Sequence, residues 1–432
     1  MGIPAADPAA DRGNDSTDSY RRTLVLAGGI VALVVLCTIL AWIDGSMVAA
    51  QPAAVSTGDV RWIRLFALAQ VLALGLFAAA MLLVRRTGAR TRHVVIIATI
   101  IQLTPLAAPL MLSTDAYSYW NAGRLATQES ANPYVDIPAD HPGDPSFRYV
   151  PPEWRNRPTV YGPAFTAISG GVAVVAGEDA QVAAWLFRML SAASMVALTV
   201  LVSRMSPRAA FAAAFIGWNP VFAIQFAGSG HNDVLMITLV VLGLWFLRRG
   251  TVRLGMAAWA LSLFVKSLAV ILVPLQILED RARGRRSLAA GLVVGLLVMS
   301  GLSTLAFGPF WPGGFAPVIE SAASGDLNSL AIWPRVASHL PDVIVKLGPI
   351  AGFAIAYLLL LRQAWQGRAR HGLAMGLFLV ASPFLWTWYV IAPAALAAVD
   401  DDPPALLIAF GLCAYTSLYL GAGGNVLELL LR

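Results

Sequence analysis

Long apolar segments separated by short polar loops occupy most of the chain. Many of them reach about eighteen to twenty-five residues, the length that an α-helix needs to cross the hydrocarbon core of a bilayer. They predict helices near residues 23–43, 62–84, 93–112, 181–203, 209–228, 233–247, 287–309, 343–361, 371–394 and 404–420. The pattern predicts an all-α polytopic membrane protein with about ten crossings.

Two further apolar segments do not fit a simple crossing. Residues 163–177 form a run of only about fifteen residues, and we expect a helix that lies in the outer membrane interface. Residues 254–278 have a basic loop on each side, so we expect two half-helices, broken around Lys266, that enter and leave on one side. Such irregular backbone is tolerated inside protein or beside a water-filled cavity.

Polar residues at the start of the chain set the expected orientation. Residues 1–22 are expected to form a disordered cytoplasmic tail, followed by a single transmembrane domain over 23–432. Arg21 and Arg22 precede the first apolar segment, and basic residues concentrate on the cytoplasmic side of membrane proteins. The N-terminus is therefore predicted to be cytoplasmic.

The same rule places two long stretches, 113–162 and 311–341, on the outer, periplasmic face. Both lack an apolar helical pattern and are rich in Trp, Tyr and Pro. Loops of this length are usually functional or disordered, and this composition argues against disorder. We therefore expect two ordered outer loops over a shared cavity, the first of them a catalytic loop over 113–180.

Composition supports the membrane assignment. The chain is 58% hydrophobic and only 12% charged, about half the charged share of a soluble protein. Its net charge of +6 lies in short loops, which favours a role in orientation over nucleic-acid binding. Cys37 and Cys413 lie inside apolar segments, where cysteine behaves as a small buried hydrophobe.

A lone acid, Asp115, follows the third apolar segment in the stretch STDAYSYWNAGRL. One interpretation is a helix-end carboxylate solvated among the outer headgroups. The other is a general base at the edge of a cavity, because an ionised group near the membrane needs water or a partner. Burial beneath aromatic rings is expected to raise its pKa.

Aromatic rings surround this acid and recur along the same loop. Their flat faces are suited to stacking on sugar rings, although an aromatic belt at the membrane interface predicts similar residues. The candidate stacking residues are Tyr117, Tyr119, Trp120, Tyr134 and Tyr161.

The stretch GSGHNDVL brings His231, Asn232 and Asp233 together at the outer end of a predicted helix. Hydrogen bonding to a sugar or a polar headgroup is the favoured interpretation, and Asp233 is also suited to capping the next helix. A metal site is less well supported, because neither an HExxH pattern nor a carboxylate cluster accompanies these residues.

Cations near the membrane supply candidates for binding a phosphate group, with Arg favoured for its bidentate geometry. The candidates are Arg124, Arg188, His231 and Arg335. Lys266 is expected to lie toward the inner side, away from the chemistry. The chain has no Walker A loop, so ATP is not expected as the energy source, and it has no GxSxG pattern that would indicate a serine nucleophile.

Four pieces of the sequence, in this order and spacing, resemble one known family. They are TDAYSYWNAGRL, ANPYV, RPTVYGPAF and GHNDVLM, and together they lie between residues 90 and 250. The chain resembles the GT-C glycosyltransferases, and among them the actinobacterial polyprenol-phosphate-mannose-dependent α-1,6-mannosyltransferases.

The resemblance implies a function and a site. It implies a GT-C fold in which 163–177 is an interfacial jaw helix and Asp115 is the base. It also implies a polyprenyl-phosphate-mannose donor, a glycolipid or lipoglycan acceptor such as lipomannan, and inverting transfer at the outer face of the plasma membrane. Membrane lipids are the expected partners, and no cofactor, metal or nucleic acid is expected.

Three alternatives stay open from the sequence. A GT-C enzyme that uses another polyprenyl-phosphate sugar, such as arabinofuranose or glucose, fits the same residues. A flippase or transporter of lipid-linked sugars predicts interrupted helices at matching positions in two halves, and the Lys266 segment has no second copy. A non-catalytic relative with the same fold is the third alternative, which an intact Asp115 disfavours.

Overall fold

The computed structural model describes residues 8–43, 60–87, 89–285, 287–315, 329–420 and 424–431. The helices are α1 Pro8–Ile43, α2 Val60–Thr87, α3 Thr91–Leu103, α4 Asp115–Thr127, α5 Pro163–Ala176, α6 Ala180–Met205, α7 Ala209–Gly217, α8 Pro220–Ala223, α9 Asp233–Arg248, α10 Val252–Val265, α11 Val273–Ala282, α12 Ser287–Phe307, α13 Ile332–Val336, α14 Asp342–Trp365, α15 His371–Ala381, α16 Ile391–Asp400, α17 Pro403–Thr416 and α18 Val426–Leu431. Strands β1 Tyr419–Leu420 and β2 Gly424–Asn425 pair antiparallel.

Short helical segments connect these elements. A π-helical turn spans Ile224–Gly228. The 3-10 segments are Thr104–Ala107, Pro138–Asp140, Phe147–Tyr149, Pro152–Trp154, Ser267–Leu272, Trp311–Phe315 and Thr387–Val390. In the centre, α6 packs against α7 and α9, and α16 packs against α7, α9 and α6, so buried apolar side chains form one continuous core across these helices.

Five helices in the described residues are long and apolar enough to cross a membrane. They are the apolar parts of α1, α2, α6, α12 and α14, and the bent pair of α7 with α8 makes a sixth. The multi-pass membrane protein expected from the sequence is thus confirmed. The count of about ten crossings stays a prediction, because several predicted spans are shorter helices that end at breaks.

The span predicted over 209–228 is bent by 50° between α7 and α8. Pro220 has no N–H to donate to the preceding turn, and the Asn219 side chain accepts from Val221 N at 3.0 Å to start a new helix. The Gln102 amide donates to the carbonyls of Gly217 and Asn219, at 3.0 and 3.3 Å. The carbonyls freed by the break are thereby paired inside the protein.

A break also interrupts the segment around Lys266, as predicted. Helix α10 ends at Val265, and Lys266 has the extended angles φ −156° and ψ 130°. The continuous helix predicted over 371–394, by contrast, is wrong: α15 ends at Ala381 and a new helical segment begins only at Thr387. Pro383 lies in this gap, and proline disfavours a helical conformation of the residue before it.

The N-terminal segment is more ordered than the sequence suggested. Helix α1 begins at Pro8, so residues 8–22 are helical rather than disordered, and residues 1–7 lie outside the described residues. Proline is well tolerated in the first turn of a helix, because the N–H it lacks has no partner there. The Tyr20 hydroxyl contacts His93 Nδ1 and so connects this helix to α3.

The two stretches predicted as long outer loops have different outcomes. The stretch 113–162 is not free of helix, because α4 and three 3-10 turns lie within it. Of the stretch 311–341, residues 316–328 lie outside the described residues, and the remainder holds a 3-10 turn and α13. The stretches approach each other: a Cβ at Gly314 would lie 2.7 Å from the Thr159 carbonyl oxygen.

Two glycines allow close helix approaches near Asp115. A Cβ at Gly123 in α4 would lie 2.1 Å from the Ser169 carbonyl oxygen in α5. A Cβ at Gly162 would lie 2.1 Å from the Phe264 carbonyl oxygen, next to the break at Lys266. A larger residue at either position would force backbone apart, because carbonyl groups of packed helices cannot move independently.

We expect Gly123→Ala to lower the midpoint of thermal unfolding of the purified protein in detergent. The new methyl group would overlap the Ser169 carbonyl, and overpacking of this kind costs about 1–3 kcal/mol. Gly171→Ala in α5 is the matched control, because nothing lies within 4 Å of a Cβ there. An equal loss of stability in both variants would contradict the close-packing account.

Candidate active site around Asp115

Two backbone segments pack side by side and bring Asp115 next to His231. Met111 N donates to the Gly228 carbonyl at 2.9 Å, and Ser229 Oγ donates to the Met111 carbonyl at 2.5 Å. Gly230 has a φ of +79°, a conformation that favours glycine, and so turns the chain into His231. The two quoted motifs that contain Asp115 and His231 therefore meet in one place.

Asp115 is the first residue of α4, and its carboxylate is 24% exposed. His231 Nδ1 lies 3.2 Å from its Oδ2 atom, and the Tyr119 hydroxyl donates to the same oxygen at 3.4 Å. Burial and the charge of Asp115 help to raise the pKa of the Tyr119 phenol well above its usual range. Tyr119 is therefore a protonated donor that orients the carboxylate.

The expectation of a raised Asp115 pKa is wrong. Partial burial does raise the pKa of this carboxyl, but the contact with His231 and the positive charges of His231 and Lys266 outweigh that effect. The net pKa lies below the ordinary value of 3.8. Asp115 is therefore an ionised acceptor at neutral pH, ready to take a proton without first losing one.

Lys266 lies at this site, although the sequence suggested an inward position. Its Nζ atom is 2.8 Å from the carboxylate of Asp233 and 4.7 Å from the centre of the Tyr389 ring. The break after α10 places the ammonium here, and it remains 18% exposed. Asp233 is consequently the partner of a lysine, and in the described part of the chain its carboxylate bonds to Lys266 rather than to the backbone at the start of α9.

An aromatic face that the sequence did not predict lies beside His231. Trp388 stacks on the His231 ring with 3.7 Å between ring centres, and Trp386 stacks on Trp388 at 5.0 Å. With Tyr389, both rings come from the break between α15 and α16, and all three remain partly exposed. The aromatic run WTWYV close after Pro383 was the signal in the sequence for this segment.

The rings predicted to stack on sugars are mainly buried packing residues. Tyr117, Tyr119 and Trp120 are at most 1% exposed. Tyr119 packs edge-on against Tyr161 at 4.7 Å, and Trp120 lies 6.1 Å from Tyr149. Their contacts support the walls of the site and leave no free ring face for a sugar.

Tyr134 and Tyr161 shape the outer loop. The Tyr134 hydroxyl donates to the Tyr161 carbonyl at 2.9 Å and lies 2.8 Å from Thr166 Oγ1. Tyr134 is 4% exposed, whereas Tyr161 is partly exposed. Of the five predicted stacking rings, Tyr161 is thus the one that retains accessible surface.

Arg124 is bound within the loop rather than beside Asp115. Its Nε atom donates to both oxygens of the buried Asp144, at 3.0 and 2.8 Å, and its Nη1 atom donates to the Gly177 carbonyl at 2.7 Å. The guanidinium is therefore committed to joining α4, the following loop and the end of α5. These contacts do not support the predicted phosphate-binding role.

Arg188 in α6 is likewise committed to backbone. Its guanidinium donates to the carbonyls of Ala227 and Ala108, each at 2.7 Å, and to the carbonyl of Pro105. Only 3% of this residue is exposed. The structure therefore gives Arg188 a role in connecting segments and no free guanidinium edge for a phosphate.

Arg335 in α13 is exposed, and its guanidinium lies 4.9 Å from the centre of the Tyr419 ring. Its Nη2 atom donates to the Ser329 carbonyl at 3.0 Å. Within the part of the chain that the structure describes, its guanidinium contacts these two residues and does not contact the Asp115 cluster. Of the four predicted cations, the structure brings His231 alone, within the described residues, into contact with Asp115.

Several buried polar atoms at the site lack a partner. His231 is fully buried and Asn232 is 2% exposed, yet His231 Nε2 and both amide atoms of Asn232 make no hydrogen bond within the described residues. Buried polar atoms are normally paired, by protein, water or ligand. The predicted hydrogen bonding of the HND stretch to a sugar or a polar headgroup stays a prediction, and these atoms are the groups that would make it.

A model of one protein family matches this region. Residues 25–279 match the family described as Alpha-(1->6)-mannopyranosyltransferase, N-terminal domain. The matched residues contain Asp115, His231, Asp233 and Lys266.

Curated relatives carry the same description. Alpha-(1->6)-mannopyranosyltransferase A of Corynebacterium glutamicum is 30% identical over 172 residues, which cover 39% of this chain and 34% of that protein. Alpha-(1->6)-mannopyranosyltransferase B of the same organism is 23% identical over 389 residues, which cover 78% and 64%. Alpha-(1->6)-mannopyranosyltransferase A of Mycobacterium tuberculosis is 27% identical over 221 residues, which cover 49% and 42%.

The chain thus spans between 34% and 64% of the length of these three relatives. No solved structure matches the chain.

Proposed function

The chain belongs to the Alpha-(1->6)-mannopyranosyltransferase family, whose model covers more than half of it, and from this membership we propose that it transfers mannose. The observation that carries the proposal is the pairing of an accessible, ionised Asp115 with His231 beside Lys266 and Asp233. This arrangement joins a proton acceptor to a nearby cation, as glycosyl transfer from a phosphate requires.

The donor is polyprenyl-phosphate mannose, and the acceptor is a glycolipid or lipoglycan such as lipomannan. A lipid-linked donor suits a chain whose apolar helices lie in the membrane. The reaction takes place at the outer face of the plasma membrane, with a cytoplasmic N-terminus and α5 as an interfacial helix of a GT-C fold. The basic loops and the short length of α5 support this orientation.

Asp115 is the general base. The acceptor hydroxyl gives its proton to the carboxylate as its oxygen bonds to the anomeric carbon of mannose. The bond between that carbon and the phosphate oxygen breaks, and its electron pair remains on the phosphate. Attack opposite to the leaving group inverts the anomeric centre, so that a β-linked donor yields an α-mannoside.

Lys266 is the cation that stabilises the departing phosphate. Its charge contributes to the low pKa of Asp115, so the ammonium acts within electrostatic range of the base. It also remains partly exposed, whereas Arg124 and Arg188 are occupied by protein partners. Asp233 holds the ammonium in place, and the polar atoms of Asn232 are free to bind sugar hydroxyls.

The aromatic face of Trp386, Trp388 and Tyr389 forms the wall on which a sugar ring stacks. Partly exposed rings next to His231 supply flat apolar surface at the point where the acceptor must approach. Tyr161 contributes from the opposite loop.

Asp115→Asn is expected to lower the rate of mannosyl transfer from polyprenyl-phosphate mannose by about 10²–10⁴-fold, because the amide cannot accept the proton. The rate is measured with purified protein and a mannoside acceptor. Glu153→Gln, which changes an exposed carboxylate of the same loop, is the matched control and should keep full activity. Undiminished transfer by a folded Asp115→Asn variant would rule out Asp115 as the base. Transfer of arabinofuranose or glucose by the wild type, instead of mannose, would overturn the proposed donor.

Lys266→Met is expected to lower kcat/KM for the donor by about 10–100-fold, because a charge-assisted contact with the phosphate is lost. The variant also leaves Asp233 buried without its cation, so a second variant separates the two effects. Lys266→Met with Asp233→Asn removes the unpaired charge and should remain impaired, while Asp233→Asn alone, which keeps the ammonium but loosens its position, should lose less activity than Lys266→Met. Full recovery in the double variant would show that Lys266 serves only to pair with Asp233.

His231→Gln is expected to shift the acidic limb of the kcat/KM profile to higher pH. The substitution removes the contact and the charge that depress the Asp115 pKa, so that pKa rises. Asp115 must be ionised to act as a base, and activity is lost as pH falls through its pKa. His339 is exposed, so His339→Gln is the control and should leave the pH profile unchanged. An unshifted acidic limb in His231→Gln would count against Asp115 as a base whose pKa is lowered by His231.

A further inference from the structure

A second polar site lies at the far end of α9 from Asp233. Helix α9 has sixteen residues, so its two ends are roughly 24 Å apart. Next to its C-terminus is a cavity of about 280 Å³, lined by the last turns of α9, by residues of α11 and the turn after it, and by the segments that follow α14 and α16. The reaction proposed at Asp115 does not use this cavity.

Among the described residues, ten charged side chains line the cavity, five acidic and five arginine. Four arginines each pair with one acid: Arg248 with Asp400 at 2.7 Å, Arg283 with Glu279 at 2.9 Å, Arg285 with Asp280 at 3.9 Å, and Arg370 with Asp402 at 2.6 Å. These four pairs leave one acid, Asp401, and one arginine, Arg368.

Asp401 is neutralised by arginines that do not line the cavity. Arg208 lies 3.1 Å from its carboxylate and Arg85 lies 3.7 Å away. Arg368, by contrast, is the one lining arginine that, within the described residues, has no acidic partner. When Arg85 and Arg208 are counted with the lining, arginines outnumber acids among the described residues, and Arg368 is left without an acidic partner, which favours an anionic ligand over a cationic one.

Two buried polar groups of the wall also lack a partner. His371 is 3% exposed and Gln276 is 6% exposed, but His371 Nε2 and Gln276 Oε1 have no hydrogen-bond partner in the part of the chain that the structure describes. Burying such atoms costs free energy unless something inside the cavity pairs with them. An imidazole nitrogen can donate to an anionic oxygen, and an amide oxygen can accept from a protonated one.

A purely structural role explains part of this network. Arg283 Nη2 donates to the Gly367 carbonyl at 3.3 Å, and Arg285 Nη1 donates to the Leu247 carbonyl at 3.0 Å. Both bonds satisfy carbonyls at helix C-terminal ends, where cations are favourable. This role accounts for neither Arg368 nor the unpaired Nε2 atom of His371.

We propose that this cavity binds a phosphate group through Arg368 and His371. A phosphate fits within about 280 Å³, and its oxygens match the planar donor edge of a guanidinium. The same chemistry is offered by inorganic phosphate and by the phosphate of an anionic lipid headgroup. The proposal does not depend on mannosyl transfer.

The first test measures thermal unfolding of the full chain in detergent as inorganic phosphate is added. We expect a saturable rise in the unfolding midpoint of about 2–4 °C beyond that given by chloride at equal ionic strength. Arg368→Gln should remove the rise. Arg362→Gln, an exposed arginine in the last turn of α14 that does not line the cavity, should keep it.

The second arm identifies the source of the phosphate group. The protein is placed in nanodiscs of phosphatidylcholine, with and without phosphatidic acid, and the midpoint is measured again. A rise in the unfolding midpoint that depends on Arg368, in either arm, supports the site. A rise with inorganic phosphate indicates a free ligand. A rise with phosphatidic acid alone indicates a lipid headgroup. The proposal would be overturned if the unfolding midpoint showed no saturable rise in either arm, or if it rose equally in Arg368→Gln.

Broadening of the phosphate ³¹P resonance by the wild-type protein gives a measurement independent of stability. Binding seen by this method in wild type and Arg362→Gln, but not in Arg368→Gln, supports the site. Equal broadening by all three proteins would place the phosphate elsewhere and overturn the assignment.

Discussion

The guanidinium of Arg188 is the contact on which the geometry around Asp115 depends. It donates to three backbone carbonyls, two in the segment after α3 and one in the π-helical turn before His231. Carbonyls at helix ends have no partner within their own helix, and in a membrane they need one inside the protein. By pairing them, one buried arginine connects the segments that carry Asp115 and His231. Arg188, which the sequence offered as a phosphate ligand, thus holds together the segments that form the site.

Breaks in apolar helices supply the remaining parts of the site. The interruption at Lys266 presents the ammonium to Asp233, and the interruption after Ala381 presents Trp388 to His231. Each break exposes backbone groups that a continuous helix would pair internally, so it persists only where neighbouring elements accept those groups. Gly162 allows this at Lys266, because its N–H donates to the Val265 carbonyl at 3.2 Å and it carries no side chain. The contacts that stabilise these breaks therefore also place the residues of the site.

Local features were predictable, and long-range pairings were not. The predicted helices agree closely with α2, α5, α6, α9, α12 and α17, because an apolar run of membrane length is a property of neighbouring residues. The break at Lys266 was predicted from the charged loops around it.

The helix predicted over 371–394 was wrong because hydropathy does not distinguish a continuous helix from two segments joined at Pro383. Of the predicted stacking rings, Tyr119 and Trp120 lie in a buried wall, because residue type alone does not distinguish a packed aromatic ring from one on an open face.

By itself, the sequence determined that the chain is a polytopic helical membrane protein, that its four short motifs resemble one family, and that Asp115 is a carboxylate of special interest. These conclusions depend on composition, spacing and residue type, which are readable along the chain. Which cation faces Asp115, and in which direction the pKa of that carboxyl moves, became known from the folded arrangement. The position of Lys266 beside Asp233, and the capture of Arg124 and Arg188 by Asp144 and by backbone carbonyls, depend on contacts between distant segments. The pKa of a carboxyl depends on the charged groups within a few ångströms of it, and the fold sets which groups these are.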